Sequence, residues 1–137
     1  MRRIVTGLVL LALLVGVLAA CGGQPTVADP QLTAKAFLQA MSDRKDADAY
    51  KLLSADTRAT VSEEDFKKMV DEAWASAGIS GFQVKDVKPA ILSKSGSRAS
   101  VPYQATLTTQ QGTTDVFNAL SLVKQNDQWQ VIWPPAR

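Results

Sequence analysis

Histidine is absent from the 137-residue sequence, and cysteine occurs only once. Without histidine, the chain lacks the side chain that most readily transfers protons near pH 7 and most often binds metal ions. A single cysteine excludes a disulfide within the chain. Neither sign of charge dominates, since 15 basic side chains stand against 13 acidic ones. The composition therefore argues against histidine-based catalysis and against a disulfide scaffold, and the length fits one small domain.

The long apolar run of the chain lies at its N-terminus. Arg2 and Arg3 precede an uncharged run over residues 4–18, and small residues then lead to Cys21. A basic start, an apolar core and small residues before a cleavage site are typical of a secretory signal. The run is short for a membrane-spanning helix, which needs roughly 20 apolar residues. We expect residues 1–20 to be a signal peptide and residues 21–29 to be a flexible tether.

The only cysteine follows Leu18-Ala19-Ala20, and the tetrad resembles a bacterial lipobox. The resemblance implies cleavage before Cys21, diacylglycerol on its sulfur and acylation of the new amino group. Several acyl chains on one residue hold a protein to a membrane far better than one chain does. The expected location is the extracytoplasmic face of the bacterial cell membrane, or the outer membrane where the cell has two. A plain signal peptide and an uncleaved anchor with an incidental cysteine are the alternatives.

The predicted mature chain carries balanced charge. Loss of Arg2 and Arg3 with the leader leaves 13 basic and 13 acidic side chains in residues 21–137. Nucleic-acid-binding proteins concentrate basic residues in a patch or stripe, whereas these charges are interspersed. We therefore expect no nucleic-acid partner.

Three helices are predicted in the first half of the mature chain. Asp29 and Pro30 supply an N-cap acceptor and a proline at the first helical position. A short second helix is expected from about Asp46 to Leu53. Ser62 caps a third helix, which Gly78 ends. The apolar stripes expected to be buried are Ala34, Phe37, Leu38 and Met41 on the first helix, and Phe66, Met69, Val70, Ala73, Trp74 and Ala77 on the third.

Beyond Ile79 the pattern changes to alternation, which predicts four strands. The second strand, over 99–108, contains Pro102, which cannot donate to a ladder and so implies a bulge or an edge. The third strand, over 116–123, is apolar on both faces and should lie centrally. Three helices followed by four antiparallel strands predict an α+β domain with the helices on one sheet face. The predicted core is centred on Phe37, Trp74, Phe82, Tyr103, Phe117, Trp129 and Trp133.

Five segments of the sequence carry a family resemblance: Thr33–Met41, Ala49–Ser54, Ser62–Phe66, Ala99–Tyr103 and Trp129–Pro134. Together they resemble the NTF2-like (cystatin-like) N-terminal domain of MecA-type penicillin-binding transpeptidases. The resemblance spans residues 31–135, and it implies a cone over residues 30–137 in which helices pack into a strongly curved sheet. It also implies a non-catalytic module between a membrane anchor and a transpeptidase. Because the sequence stops where the catalytic part would begin, we expect a stand-alone copy.

No set of residues has the spacing of a catalytic, cofactor or metal site, so we expect none. Ser42-x-x-Lys45 matches a transpeptidase motif, but it falls at a helix end within a charged run. Tyr50, Tyr103 and Asp115 are the set that could serve acid–base chemistry, which in some NTF2-like enzymes depends on pKa tuning inside an apolar cavity. Nothing in the sequence places the three in one cavity, so we expect a core or surface role for each.

Two functional hypotheses follow, with a homodimer through the open sheet face as a third. The leading hypothesis is a non-catalytic binding module for a protein or glycan of the cell envelope, and it predicts a filled cone with an exposed apolar patch. The alternative is a small-ligand carrier or cone-pocket enzyme, and it predicts an enclosed cavity of several hundred cubic ångströms with one or two buried polar groups. The candidate pocket or partner-surface residues are Tyr50, Trp74, Tyr103, Trp129 and Trp133.

Overall fold

A computed structural model describes residues 29–134 of the chain. The predicted signal peptide (1–20) and the predicted lipidation at Cys21 lie outside these residues. Within 29–134, no helix combines the length and apolarity needed to cross a membrane. The elements are α1 (Pro30–Ser42), α2 (Asp46–Lys51), α3 (Ala55–Thr60), α4 (Glu63–Ser76), β1 (Ile79–Val87), β2 (Ile91–Leu92), β3 (Arg98–Thr109), β4 (Gly112–Gln125) and β5 (Gln128–Val131).

The two long helices begin at the caps that the sequence predicts. The Asp29 side chain accepts a hydrogen bond from the backbone N–H of Gln31 at the start of α1. The Ser62 hydroxyl accepts from the N–H of Asp65 at 3.1 Å at the start of α4. Gly78 follows α4 with φ +63°, the left-handed conformation predicted for it. Capping and apolar periodicity agree at both helices, which is why local sequence defines them.

The helix α3 lies where no helix was predicted. It has six residues, of which only Thr57 is buried, so it presents no apolar stripe. Its start is fixed by Ser54, whose hydroxyl accepts from the Thr57 N–H at 3.2 Å. The Ser54 N–H in turn donates to the carbonyl of Val131 at 2.8 Å, and the Val131 N–H donates to Leu52 at 2.8 Å. The segment that leads into α3, residues 52–54, thereby covers the free edge of β5.

The strands form one antiparallel sheet in the order β1-β3-β4-β5, with β2 pairing to β3 beyond the end of β1. Strand β4 pairs with both β3 and β5, which confirms its predicted central place. The helices pack against the concave face of the curled sheet. The predicted class, α+β with helices covering a curved antiparallel sheet, is confirmed. The structure adds α3 and the two-residue strand β2 to the elements predicted.

Pro102 lies at an interruption of the sheet, as its sequence position implies. On one side of β3, pairing with β1 ends at Tyr103, and pairing with β2 begins at Ser100. The Pro102 carbonyl accepts from the N–H of Lys88 at 2.8 Å, so this edge of Pro102 faces the gap between β1 and β2. A proline nitrogen at that point costs the ladder no hydrogen bond.

The core lies between α1, α4 and the concave sheet face. Phe37 and Trp129 are buried as predicted, and Trp74, Phe82, Tyr103 and Trp133 are partly buried against the same cluster. The prediction for Phe117 is wrong, since its side chain is 76% exposed. Its register partner is Gln104, on the outer face of the sheet, and helices cover only the opposite face. Met69, predicted on the buried face of its helix, is also exposed.

Candidate functional site

A cavity of about 320 Å³ lies between the concave face of the sheet and the helices α1 and α4. Its volume is at the lower end of the range of small-molecule pockets. The cavity is partly open to solvent and Asn118 in its lining is exposed, so the structure shows neither the filled cone expected from the leading hypothesis nor the enclosed cavity expected from the alternative. The lining is mostly apolar and consists of Phe37, Leu38, Met41, Ala73, Trp74, Ile79, Phe82, Tyr103, Leu107, Val116, Asn118, Ala119, Leu120 and Trp133.

Two polar side chains in this lining are neighbours across the sheet. Tyr103 on β3 and Asn118 on β4 are register partners, so both lie on the concave side. Burial raises the pKa of the Tyr103 hydroxyl above its ordinary value of 10.0. The side-chain oxygen of Asn118 accepts from the backbone N–H of Ala119 at 2.8 Å, which leaves the side-chain nitrogen of Asn118 as a donor. The pair gives an otherwise apolar cavity one neutral hydrogen-bonding corner.

Trp74 lies at the rim of the cavity, where Arg44 packs over its ring. The Arg44 guanidinium carbon lies 4.2 Å from the centre of the Trp74 ring, a cation–π arrangement. The same guanidinium forms an ion pair with Asp71, and Asp71 forms a second ion pair with Lys67. The hydrogen bond from Lys67 is the main reason that the pKa of Asp71 is lowered, with both cations adding to it. These charges face solvent and order the rim of the cavity.

Trp133 serves both the cavity wall and the core. Its ring centre lies 5.6 Å from Phe66, edge to face, and 6.2 Å from Phe37. Its indole N–H is buried and has no hydrogen-bond partner among residues 29–134. The Thr57 hydroxyl fixes the backbone of Trp133. It donates to the Trp133 carbonyl at 3.2 Å and accepts from the Trp133 N–H at 3.3 Å.

Of the five candidate residues, Trp74, Tyr103 and Trp133 meet at the cavity. Trp129 is buried in the core and is not part of the lining. Tyr50 packs 5.9 Å from the Phe66 ring and donates its hydroxyl to the carbonyl of Val61 at 2.7 Å, an interaction that stabilises the fold. Asn118 was missed. Its signal was a single amide within the apolar stretch 116–123.

Asp115 does not join Tyr103. Its register partner is Thr106, on the outer face of the sheet, and it bonds Lys85 at 3.0 Å and the Thr106 hydroxyl at 2.8 Å. Hydrogen bonds, first from Lys85 and then from Thr106, lower the pKa of Asp115, so its carboxylate stays charged at neutral pH. Tyr50, Tyr103 and Asp115 therefore occupy three separate places.

Other chemistry-bearing residues have structural partners. The Ser42 hydroxyl donates to the carbonyl of Phe82 at 2.6 Å and so fastens the end of α1 to β1. Within the part of the chain that the structure describes, no three carboxylate or thiol groups come together in the manner of a metal site.

The buried phenol provides a test of this geometry by pH titration. We expect the phenolate absorbance of Tyr103 to appear with a midpoint above 10.0, because the charged form is poorly solvated at its position. The raised pKa leaves stability unchanged at lower pH and reduces the free energy of unfolding as the pH rises above 10.0. Tyr103→Phe should remove this late absorbance change, and Tyr50→Phe should retain it. A late change that survives in Tyr103→Phe would contradict the placement of Tyr103.

The fold and the cavity define a class: an α+β cone whose apolar hollow carries a neutral polar corner. The family model of the NTF2-like N-terminal transpeptidase domain, the MecA N-terminal family, matches residues 29–137. The chain belongs to this family.

Two solved structures are similar to this chain. A SEC-C motif containing protein from Psychrobacter arcticus superposes with a TM-score of 0.52 at 18% identity, over 77% of this chain and 59% of that one. This chain thus spans less than two thirds of that protein. A Campylobacter jejuni protein described as an NTF2-like transpeptidase has a TM-score of 0.45 at 16% identity, over 75% of this chain and 96% of its own. No curated protein sequence matches this chain.

Proposed function

We propose that this protein is a membrane-anchored, extracytoplasmic bacterial lipoprotein whose NTF2-like domain is a non-catalytic binding module of the cell envelope. The observation that carries the proposal is the position of the only cysteine, directly after Leu18-Ala19-Ala20 and an export-type leader. Acylation needs a cysteine at that one position, and nothing else in the chain competes for the role of lipid acceptor.

The composition of the cavity supports a non-catalytic role. Its lining contains no Asp, Glu, Lys or Arg, and the candidate acid Asp115 lies on the opposite face of the sheet. General acid–base catalysis works best with a pKa near the operating pH. Burial raises the pKa of Tyr103 further above that range. The hydrogen-bond partners of Asp115 lower the pKa of its carboxyl group, away from the same range.

A lipid anchor suits a binding module because it restricts where the module can meet its partner. A short tether keeps the domain close to the membrane and raises its effective concentration toward anything fixed there. A protein or glycan of the cell envelope is the class of partner that such confinement favours. This class of partner is assigned by analogy with the role of the family.

Replacement of the cysteine tests the anchor. In cells fed labelled palmitate, the Cys21→Ser variant should take up no label, should retain its leader, and should lose the lipid-dependent association with membranes. Thr26→Ser, in the predicted tether, is the matched control and should be labelled like the wild type. Label that persists on Cys21→Ser would overturn the lipoprotein assignment.

The cavity favours a second candidate, a carrier of a small neutral ligand. Its 320 Å³ of mostly apolar space and the Tyr103–Asn118 corner suit an uncharged molecule with one hydroxyl or carbonyl group. The titration of Tyr103 provides the test, because a bound apolar molecule would exclude more water from the phenol. Octanol should raise the midpoint further in the wild type, and an unchanged midpoint would reject the carrier function.

A further inference from the structure

The hairpin from β2 into β3 carries exposed apolar residues. Ile91 and Leu92, which form β2, are 64% and 55% exposed. Neighbouring residues of a strand face opposite sides, so a strand buried on either face would hide one of them. Both are exposed because β2 pairs only with the start of β3 and lies beyond the end of β1, at a corner of the sheet.

The same hairpin is basic and lacks compensating acids. No acidic residue occurs between Asp86 and Asp115, whereas Lys88, Lys94 and Arg98 fall in this interval. Lys88 pairs with Asp86, but Lys94 and Arg98 form no ion pair with any residue of 29–134. We define residues 88–98 as the basic hairpin. It combines two exposed apolar side chains with two cations, Lys94 in the turn and Arg98 at the start of β3, that have no ion-pair partner within residues 29–134.

The basic hairpin lies at the end of the domain where the predicted tether begins. Gln31, in the first turn of α1, donates its side-chain amide to the carbonyl of Val87 at 2.8 Å, and Val87 leads directly into the hairpin. Only eight residue steps separate Cys21 from Asp29, a reach of under about 30 Å even when fully extended. A lipid on Cys21 therefore keeps this corner closer to the bilayer than the opposite end of the cone.

We propose that the basic hairpin lies on the anionic lipid surface to which the protein is tethered, with Ile91 and Leu92 inserted at headgroup depth and Lys94 and Arg98 against lipid phosphates. The proposal rests on the lipid anchor of the proposed function. Apolar side chains flanked by cations favour an anionic bilayer, since burial of apolar area and attraction to anionic lipids act together. Docking would fix the orientation of the cone, with the basic hairpin on the membrane and the opposite end of the sheet directed away from it.

A fluorophore on the hairpin tests the docking. Once Cys21 is acylated its sulfur is blocked, so Leu92→Cys supplies the one thiol for an NBD label in the mature full chain. In vesicles containing phosphatidylglycerol, the label should shift to the blue and brighten, and the change should weaken in phosphatidylcholine alone. Phe117→Cys, at an even more exposed apolar position on the outer sheet face, is the control and should show the emission of a label in water.

Charge variants separate the two proposals. Lys94→Glu together with Arg98→Glu should abolish the blue shift while the protein still floats with the vesicles, and Lys68→Glu, on the exposed face of α4, should change nothing. Flotation with an unshifted Leu92 label would overturn the docking proposal and leave the anchor intact. A free Cys21 thiol with no flotation would instead refute the anchor. A label shielded in cells but not on pure lipid would assign the hairpin to a protein partner and reject the lipid surface.

Discussion

Truncation of Phe66 to alanine is expected to lower the free energy of unfolding by about 3–5 kcal/mol. The ring is fully buried, and it packs edge to face on Trp133 and tilted against Tyr50. It therefore joins α4, α2 and the end of the chain in one aromatic cluster. Because small domains are stable by about 5–15 kcal/mol, this one change removes a large part of the total. Urea denaturation followed by tryptophan fluorescence measures the loss.

The matched control is Phe117→Ala, which removes the same ring from the outer face. Since Phe117 is 76% exposed, the expected change is within about 0.5 kcal/mol. Equal losses for the two variants would contradict the burial assigned to Phe66 and the strand register that turns Phe117 outward. A loss at Phe66 alone supports both.

Replacement of Thr57 by valine is expected to cost about 2 kcal/mol, with little change in volume. The buried Thr57 hydroxyl bonds that of Ser54 at 2.9 Å and both backbone groups of Trp133. Valine preserves the shape but removes a partner from the buried Ser54 hydroxyl and from the partly buried N–H and carbonyl of Trp133. Thermal unfolding monitored by circular dichroism gives the shift in stability.

Thr57→Ser is the appropriate comparison because serine keeps the hydroxyl and loses only a methyl group. We expect it to retain most of the stability that valine loses. If serine were as destabilising as valine, packing of the methyl group and not the hydrogen-bond network would hold α3 against the end of the chain.

The sequence predicts the elements whose local signals agree with one another. Asp29 with Pro30, and Ser62 with the acidic turn that follows it, mark helix starts, and an apolar period continues from each. The helix α3 escaped prediction because its stability comes from Thr57 and Ser54 bonding to residues some 76 positions away, not from a stripe of its own. Hydrogen bonds to a distant strand leave no periodic trace in a six-residue segment.

The candidate site could be predicted only in part. Aromatic residues drew attention to Trp74, Tyr103 and Trp133, which do meet at the cavity. Composition could not separate them from Trp129, which fills the core, because the same alternation describes a wall and a packed interior. Asn118 becomes relevant only when the register pairs it with Tyr103.

The order of the chain by itself predicts an export-type leader before its single cysteine, and it determined the caps of the long helices and the alternation of the strands, since each of these signals depends on neighbours within a few residues. The tertiary structure decided that Phe117 faces solvent, that Tyr103 and Asp115 lie on opposite faces, and that the basic hairpin adjoins the start of α1. Those outcomes depend on which face of the sheet the helices cover, and burial is settled by contacts between distant parts of the chain.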